Sequence, residues 1–130
     1  MNLESPKVNV AKSAEYLFNA LSDVKNFEKL MPENTAKFEV LDDDTFNFGL
    51  NGMPEIKLRL KEGVPYSIIN LVAANDKLPF KLTANLDTIT ESSTQVYLQF
   101  EGEFNPMMAM MIKGPISKFI ETLAENMIKL

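Results

Sequence analysis

Residues that could do chemistry are few in this chain of 130 residues, because it contains neither cysteine nor histidine. The absence of cysteine excludes disulfides and thiolate metal sites. The absence of histidine removes the commonest general base at neutral pH and the commonest zinc ligand. A Ser–His–Asp triad therefore cannot be assembled from this sequence. We assign no catalytic residue, no metal ligand and no cofactor, and a role other than catalysis is favoured.

Two groups of acidic residues have spacings that chemistry could use, and we interpret both as surface charge. The run Asp42–Asp44 lacks the central glycine and distal glutamate of a calcium loop, so a hairpin turn is favoured. Glu101 and Glu103 lie two apart on one strand face, the separation range of glycosidase carboxylates. Alternation turns Phe100 and Gly102 inward, however, which leaves both acids in water as poor general acids.

Four methionines within five positions, Met107, Met108, Met110 and Met111, are the most unusual local feature. One interpretation is core filling, because methionine adapts to irregular gaps. A second is the soft wall of a cavity for varied apolar ligands, and a third is a patch that binds a partner. Helical spacing cannot bury all four side chains on one stripe. We therefore expect one or two of them to be exposed or to line a void.

Tyr66 is the best candidate for a polar group inside a cavity, because its phenol can hydrogen-bond a ligand. The segment from Tyr66 to Ala73 is apolar on both faces, so its register stays open. A tyrosine on the outer face is the alternative.

The first third of the chain predicts a short strand and two short helices. Val8 and Val10 alternate with polar residues after Pro6. Ser13 is a helix cap, and Ser22 with Asp23 forms a second cap. The second helix ends before Pro32, because the residue before a proline is pushed out of the α region.

From Lys37 onward the apolar period is two, which predicts six strands joined by short turns. The turns are expected at Asp42–Asp44, Gly52–Pro54, Glu62–Pro65, Asn75–Asp76 and Glu91–Ser93.

Asn105 and Pro106 are the cap and first turn of a final helix. Apolar residues then recur every three or four positions, at Ile112, Ile116, Phe119, Ile120, Leu123, Met127 and Leu130. Pro115 follows Gly114, so we expect a kink or break there.

This order of elements resembles the helix-grip arrangement of the START / birch-pollen-allergen-like (SRPBCC) superfamily. The resemblance rests on Val8–Val10, on the segment from Ser13 to Pro32 with its Leu–Met–Pro exit, and on the terminal helix. The block NPMMAMMIKGPISKF is similar to small bacterial members. The resemblance covers the whole chain and implies an α+β fold, with a curved antiparallel sheet wrapped around a long C-terminal helix. We expect one domain, 1–130.

The resemblance also implies a cavity between the sheet and the terminal helix, where members hold lipids, sterols, quinones or polyketides. We predict binding of a hydrophobic or amphipathic small molecule there. The alternatives are a protein-interaction or homodimerisation module with a filled interior, and a cyclase or hydratase. The predicted ligand-binding residues are Phe27, Met31, Phe48, Leu58, Tyr66, Leu82, Phe100, Met108, Met111 and Phe119.

Composition and charge limit the classes of partner that we expect for this chain. The formal net charge of −5 opposes binding to nucleic acid, which needs clustered Lys and Arg. No stretch approaches the roughly 20 apolar residues that span a bilayer. The N-terminus lacks the cationic start and apolar run of a secretory signal, and we expect a cytoplasmic protein.

Overall fold

The computed structural model describes residues 1–50, 55–74 and 79–130. Within these ranges one antiparallel sheet of eight strands is packed against a long C-terminal helix. The strands are β1 (Asn2–Glu4), β2 (Val8–Val10), β3 (Thr35–Asp42), β4 (Thr45–Leu50), β5 (Ile56–Val64), β6 (Ile68–Ala73), β7 (Phe80–Thr90) and β8 (Ser93–Gly102).

The sheet order is β1-β8-β7-β6-β5-β4-β3, and β2 also pairs with β8. The predicted six-strand meander is therefore confirmed as β3 to β8. The predicted hairpin turn at Asp42–Asp44 is confirmed as well, since Asp42 pairs with Thr45 across it. The turns predicted at 52–54 and 75–76 lie outside the described residues.

The helix starts follow the predicted caps. Helix α1 (Ala14–Leu21) begins where the Tyr16 N–H donates to Ser13 Oγ at 3.0 Å. Asp23 Oδ1 accepts from the Lys25 N–H at 3.0 Å and opens a 3-10 helix, Val24–Leu30. These side-chain oxygens satisfy N–H groups that have no partner within the helix.

Helix α2 (Pro106–Glu125) is capped by Asn105, whose Oδ1 accepts from the Met108 N–H at 2.8 Å. A short 3-10 helix, Asn126–Lys129, continues from it. The apolar stripe predicted for this helix is buried at every position, which confirms the face that it turns to the sheet: Ile112, Ile116, Phe119, Ile120, Leu123, Met127 and Leu130.

Helix α2 runs through Pro115 without the predicted break. A proline at this position removes the hydrogen bond to the Met111 carbonyl. Ile112 and Ile116 lie on either side of the proline, and both are buried. Core contacts on the two flanks therefore hold the segments in one helix.

The turn predicted at Glu62–Pro65 is displaced toward the C-terminus. Strand β5 continues to Val64, and the Ser67 N–H donates to the Val64 carbonyl at 3.0 Å across Pro65 and Tyr66. Gly63 lies at a register shift in β5, where an added Cβ would overlap the Ile68 carbonyl oxygen. Glycine is required there by close approach of the neighbouring backbone, not by a turn.

Candidate ligand-binding groove

A groove of about 570 Å³ opens beside the C-terminal half of helix α2. Its walls come from three places: the segment after the first 3-10 helix, the end of β4, and the helical residues from Pro115 onward. The lining residues are Met31, Pro32, Glu33, Asn34, Leu50, Pro115, Lys118, Phe119, Thr122, Asn126 and Lys129.

The groove has an apolar floor and a polar rim. Phe119 and Leu50 form the floor and are only 4% and 6% exposed. Lys118 and Lys129 lie on the rim and are exposed, as is Glu33. Two cations and one anion leave the rim with a net positive charge. Such a site offers apolar contact below and a charged or hydrogen-bonding partner above, which suits an amphipathic molecule.

Hydrogen bonds fix the walls of the groove. Asn126 Nδ2 donates to the Leu30 carbonyl at 2.9 Å and joins the end of α2 to the first 3-10 helix. Thr35 Oγ1 donates to the Pro32 carbonyl at 2.7 Å and holds the opposite segment in a turn. Both hydrogen bonds are partly buried. The first joins two elements that are far apart in sequence, and the second holds a turn of the chain. The backbone that forms the walls of the groove is therefore held in place by hydrogen bonds.

Two of the ten predicted ligand-binding residues, Met31 and Phe119, line this groove. The Phe119 ring stacks on the Phe48 ring, with centroids 4.9 Å apart and planes at 11°. Phe48 thus lies directly behind the groove floor. Phe27 is also buried, and it stacks on Phe46 at 5.0 Å.

The structure differs from the predicted cavity between the sheet and the terminal helix at four of the predicted wall residues. Phe48, Leu58, Leu82 and Phe100 are each only 1–2% exposed. A space large enough to hold water would leave surface on its lining. The concave face is packed at these four residues, because aromatic and branched side chains fill it, and the open volume lies at one end of the helix.

Tyr66 is not inside the protein. It lies in the β5–β6 turn with φ 66°, is 47% exposed, and meets the Phe18 ring edge-on at 5.7 Å. Two-residue turns of this kind require a positive φ at their second central position, which glycine usually supplies. The tyrosine occupies it here and contacts Phe18 of α1.

The methionines divide between two environments. Met108 is partly buried and packs against the core, whereas Met111 is 67% exposed and faces away from it. Met107 and Met110 are exposed as well. Three of the four are therefore exposed, more than the one or two that were predicted. Met111 does not line a cavity, contrary to its prediction as a ligand-binding residue.

Sequence reasoning missed most of the groove. Phe119 belongs to the buried stripe, whereas the other helical residues of the groove follow a spacing of three and four, each one position before a stripe residue: Pro115, Lys118, Thr122, Asn126 and Lys129. This mixed row marks the border between the apolar and polar faces. A search along that border would have found them.

Electrostatic effects are small and lie away from the groove. Lys37 Nζ is 3.0 Å from Glu55 Oε1, and the hydrogen bond and charge of that carboxylate raise the pKa of Lys37. Hydrogen bonding with the Asp44 side chain and backbone N–H lowers the pKa of Asp42 in the β3–β4 turn. Both groups are exposed. In residues 1–50, 55–74 and 79–130, no group of three or more acids is placed to hold a metal ion.

Solved structures resemble this arrangement over nearly its whole length. A conserved protein from Geobacillus kaustophilus superposes with a TM-score of 0.73 at 14% identity, covering 99% of this chain and 93% of that one. Norcoclaurine synthase from Thalictrum flavum, in complex with dopamine and hydroxybenzaldehyde, also gives 0.73 at 14% identity, covering 99% and 84%. The Zhui aromatase/cyclase from a Streptomyces species gives 0.68 at 16% identity, covering 97% and 93%.

The chain has a START-like helix-grip fold. No protein-family model matches its sequence, and no curated protein matches it either. The START-like fold predicted from the order of elements is therefore confirmed by structural likeness. In the part of the chain that the structure describes, no helix has the length and hydropathy needed to cross a membrane.

Proposed function

We propose that this START-like protein binds an amphipathic small molecule in the groove beside helix α2. The observation that carries the proposal is the groove itself, about 570 Å³ with Phe119 and Leu50 below and Lys118 and Lys129 above. Ligand pockets commonly enclose about 300–1,000 Å³. The volume is thus sufficient for a lipid chain segment, a quinone ring or a polyketide-sized molecule.

The chemistry of the lining favours a ligand with an anionic or strongly accepting head. Burial of its apolar part against the floor would contribute about 25 cal/mol per Å² before ordering costs. The lysines on the rim would hold the head by charge-assisted hydrogen bonds. Glu33 on the same rim disfavours a second negative charge, so a single acid group fits best.

Structural neighbours support binding of small molecules as a use of this fold. Norcoclaurine synthase was solved with dopamine and hydroxybenzaldehyde, and another neighbour is an aromatase/cyclase. Both names describe those proteins, and a fold hosts many activities. The groove here contains no histidine or cysteine, since the chain has none. The binding that we propose is non-covalent, through the apolar floor and the charged rim.

Native mass spectrometry of protein purified from its own host tests whether a ligand is retained. A discrete extra mass, extracted and identified as an amphipathic molecule, is the expected result. Titration with dansylaminoundecanoic acid then measures binding to the emptied protein, and we expect saturable binding of one probe per chain.

A pair of tryptophan variants places the site. Thr122 lines the groove and is half-buried, whereas Glu125 lies on the same helix, exposed and outside the groove. Thr122→Trp should fill the groove and weaken probe binding about tenfold or more, a change of 1.4 kcal/mol or more. Glu125→Trp should leave it unchanged. Equal affinity in the two variants, or no saturable binding in the parent protein, contradicts the proposal.

A further inference from the structure

The first half of helix α2 exposes a cluster of large apolar side chains. Met107, Met110 and Met111 are 75%, 82% and 67% exposed, and they follow the i, i+3, i+4 spacing that places residues on one side of a helix. We refer to these three residues as the methionine face. Ile112, on the other side of the helix, is buried.

The methionine face is distinct from the other exposed apolar residues in the described ranges. None of those belongs to a row of three on one helix: Leu41 and Ile89 lie on separate strands, Tyr16 and Ile128 on separate helices, and Val64 and Tyr66 at one turn. Single exposed apolar residues are normal on soluble proteins, whereas clustered ones mark a surface that contacts a partner. The cluster therefore needs an explanation that the single residues do not.

The charge around the methionine face is locally positive in a protein whose net charge is −5. From Pro106 to Ile120 the only charged residues are Lys113 and Lys118, and both are exposed. Lys113 lies three positions after Met110, at the flank of the methionine face. Lys118 lies seven positions after Met111 and therefore on the same side of the helix as that residue. Acidic residues flank the segment at Glu103 and Glu121 but do not enter it.

The same helical surface continues into the groove. Pro115 is four residues after Met111, and Pro115 and Lys118 both line the groove. A partner seated on the methionine face would therefore lie at the groove's edge. An amphipathic ligand that leaves such a partner would reach the groove without crossing open water.

We propose that the methionine face docks this protein reversibly on a membrane surface that contains anionic lipid. Apolar side chains that enter the interface, with lysines beside them to meet anionic head groups, are the two components of peripheral membrane binding. Methionine suits this role because its unbranched thioether adapts to a disordered surface. Docking does not require an occupied groove, so the docking proposal can be tested independently of the proposed ligand.

Vesicle flotation of the whole protein tests the proposal. With equimolar phosphatidylcholine and phosphatidylglycerol at low salt, the protein should float with the vesicles. With phosphatidylcholine alone, or at high salt, the bound fraction should fall several-fold, because the lysine contribution is electrostatic and screened.

The decisive variant replaces all three residues of the methionine face by serine, M107S/M110S/M111S. We expect about a tenfold or greater loss of vesicle binding, since the apolar contribution is removed. The matched control, L41S/I89S/I128S, removes three exposed apolar residues elsewhere and should bind as the parent does. Lys113→Glu should reduce binding to anionic vesicles and leave binding to neutral ones unchanged; Lys118 is avoided because it lines the groove.

Circular dichroism and thermal melting establish that each variant is folded. Sedimentation equilibrium without lipid distinguishes the second possible occupant, another copy of this chain. A monomer in the parent protein, with vesicle binding lost only in the methionine-face variant, supports the proposal. A stable dimer that M107S/M110S/M111S makes monomeric overturns it in favour of homodimerisation. Unchanged vesicle binding in that variant also overturns it.

Discussion

The two halves of helix α2 have similar composition and opposite surroundings. The first half, 106–115, contains six apolar residues and the second, 116–125, contains five. In the first half only Ile112 is buried, whereas the second half buries Ile116, Phe119, Ile120, Leu123 and Ala124. A capped N-terminus keeps the first half helical with little core contact. The difference shows that apolar content alone does not determine which part of the helix is buried.

The contrast has a functional meaning. One side of the second half packs against the core, and the adjacent side lines the groove. Its residues therefore contribute both to stability and to the shape of the groove. The first half contributes little to the core and presents its methionines outward. We therefore expect the stability of the fold and ligand binding in the groove to depend mainly on the second half. Contact with a partner surface should depend on the first half.

The largest expected effect comes from Phe119→Ala in the second half. Phe119 is buried, stacks on Phe48 at 4.9 Å and forms the groove floor. Removing a buried aromatic ring costs about 3–5 kcal/mol of unfolding free energy, because contacts are lost and a cavity remains. Urea denaturation followed by circular dichroism measures the change.

Met110→Ala is the matched control in the first half. Because the Met110 side chain is 82% exposed, its truncation should change the unfolding free energy by no more than about 0.5 kcal/mol. A loss for Met110→Ala that approaches the loss for Phe119→Ala would mean that the first half is buried in solution, and the contrast between the halves would fail.

The sequence predicted the buried half of this helix well and the groove poorly. Spacing alone identified the stripe from Ile112 to Leu130, because burial on one helical face leaves a period of three to four. It could not separate a packed interior from a hollow one, since both have the same apolar pattern. Phe48 and Leu58 were therefore placed in a cavity wall, although the structure buries them in the core.

Tyr66 shows a second limit of sequence reasoning. The apolar segment from Tyr66 to Ala73 suggested a strand that begins at this residue, but β6 begins at Ile68 and Tyr66 lies in the turn. A positive φ is rare for tyrosine, so turn patterns centred on glycine or asparagine give no warning of it. The element order from β2 to β8, by contrast, depends on several independent changes of period and was predicted. Strand β1 was missed, because three residues are too short to show a period.

An intermediate loss of stability is expected where the C-terminal end of helix α2 is hydrogen-bonded to the first 3-10 helix. Asn126→Ala removes the hydrogen bond from Nδ2 to the Leu30 carbonyl, which is partly buried. Loss of a typical intramolecular hydrogen bond costs about 0.5–1.5 kcal/mol. Thermal melting should show this loss, and probe binding should weaken because the groove wall is less constrained. Asn19→Ala, at an exposed position of α1, should leave probe binding unchanged and should not lower the melting temperature, because alanine is the better helix former.

The smallest expected change in stability comes from a substitution in the first half that should raise the unfolding free energy and weaken vesicle binding. Met107 lies in the first turn of α2, which contains no acidic residue, and its side chain is 75% exposed. Met107→Glu should raise the unfolding free energy by about 0.3–1 kcal/mol at low salt, because a carboxylate there interacts favourably with the helix dipole. The same change should weaken binding to anionic vesicles, since it removes a methionine and adds a negative charge. Met107→Lys should have the opposite effect on stability, and both shifts should shrink at high salt. If Met107→Glu is the less stable of the two variants at low salt, the start of α2 does not stand free in water, and the two halves are not as different as the structure shows.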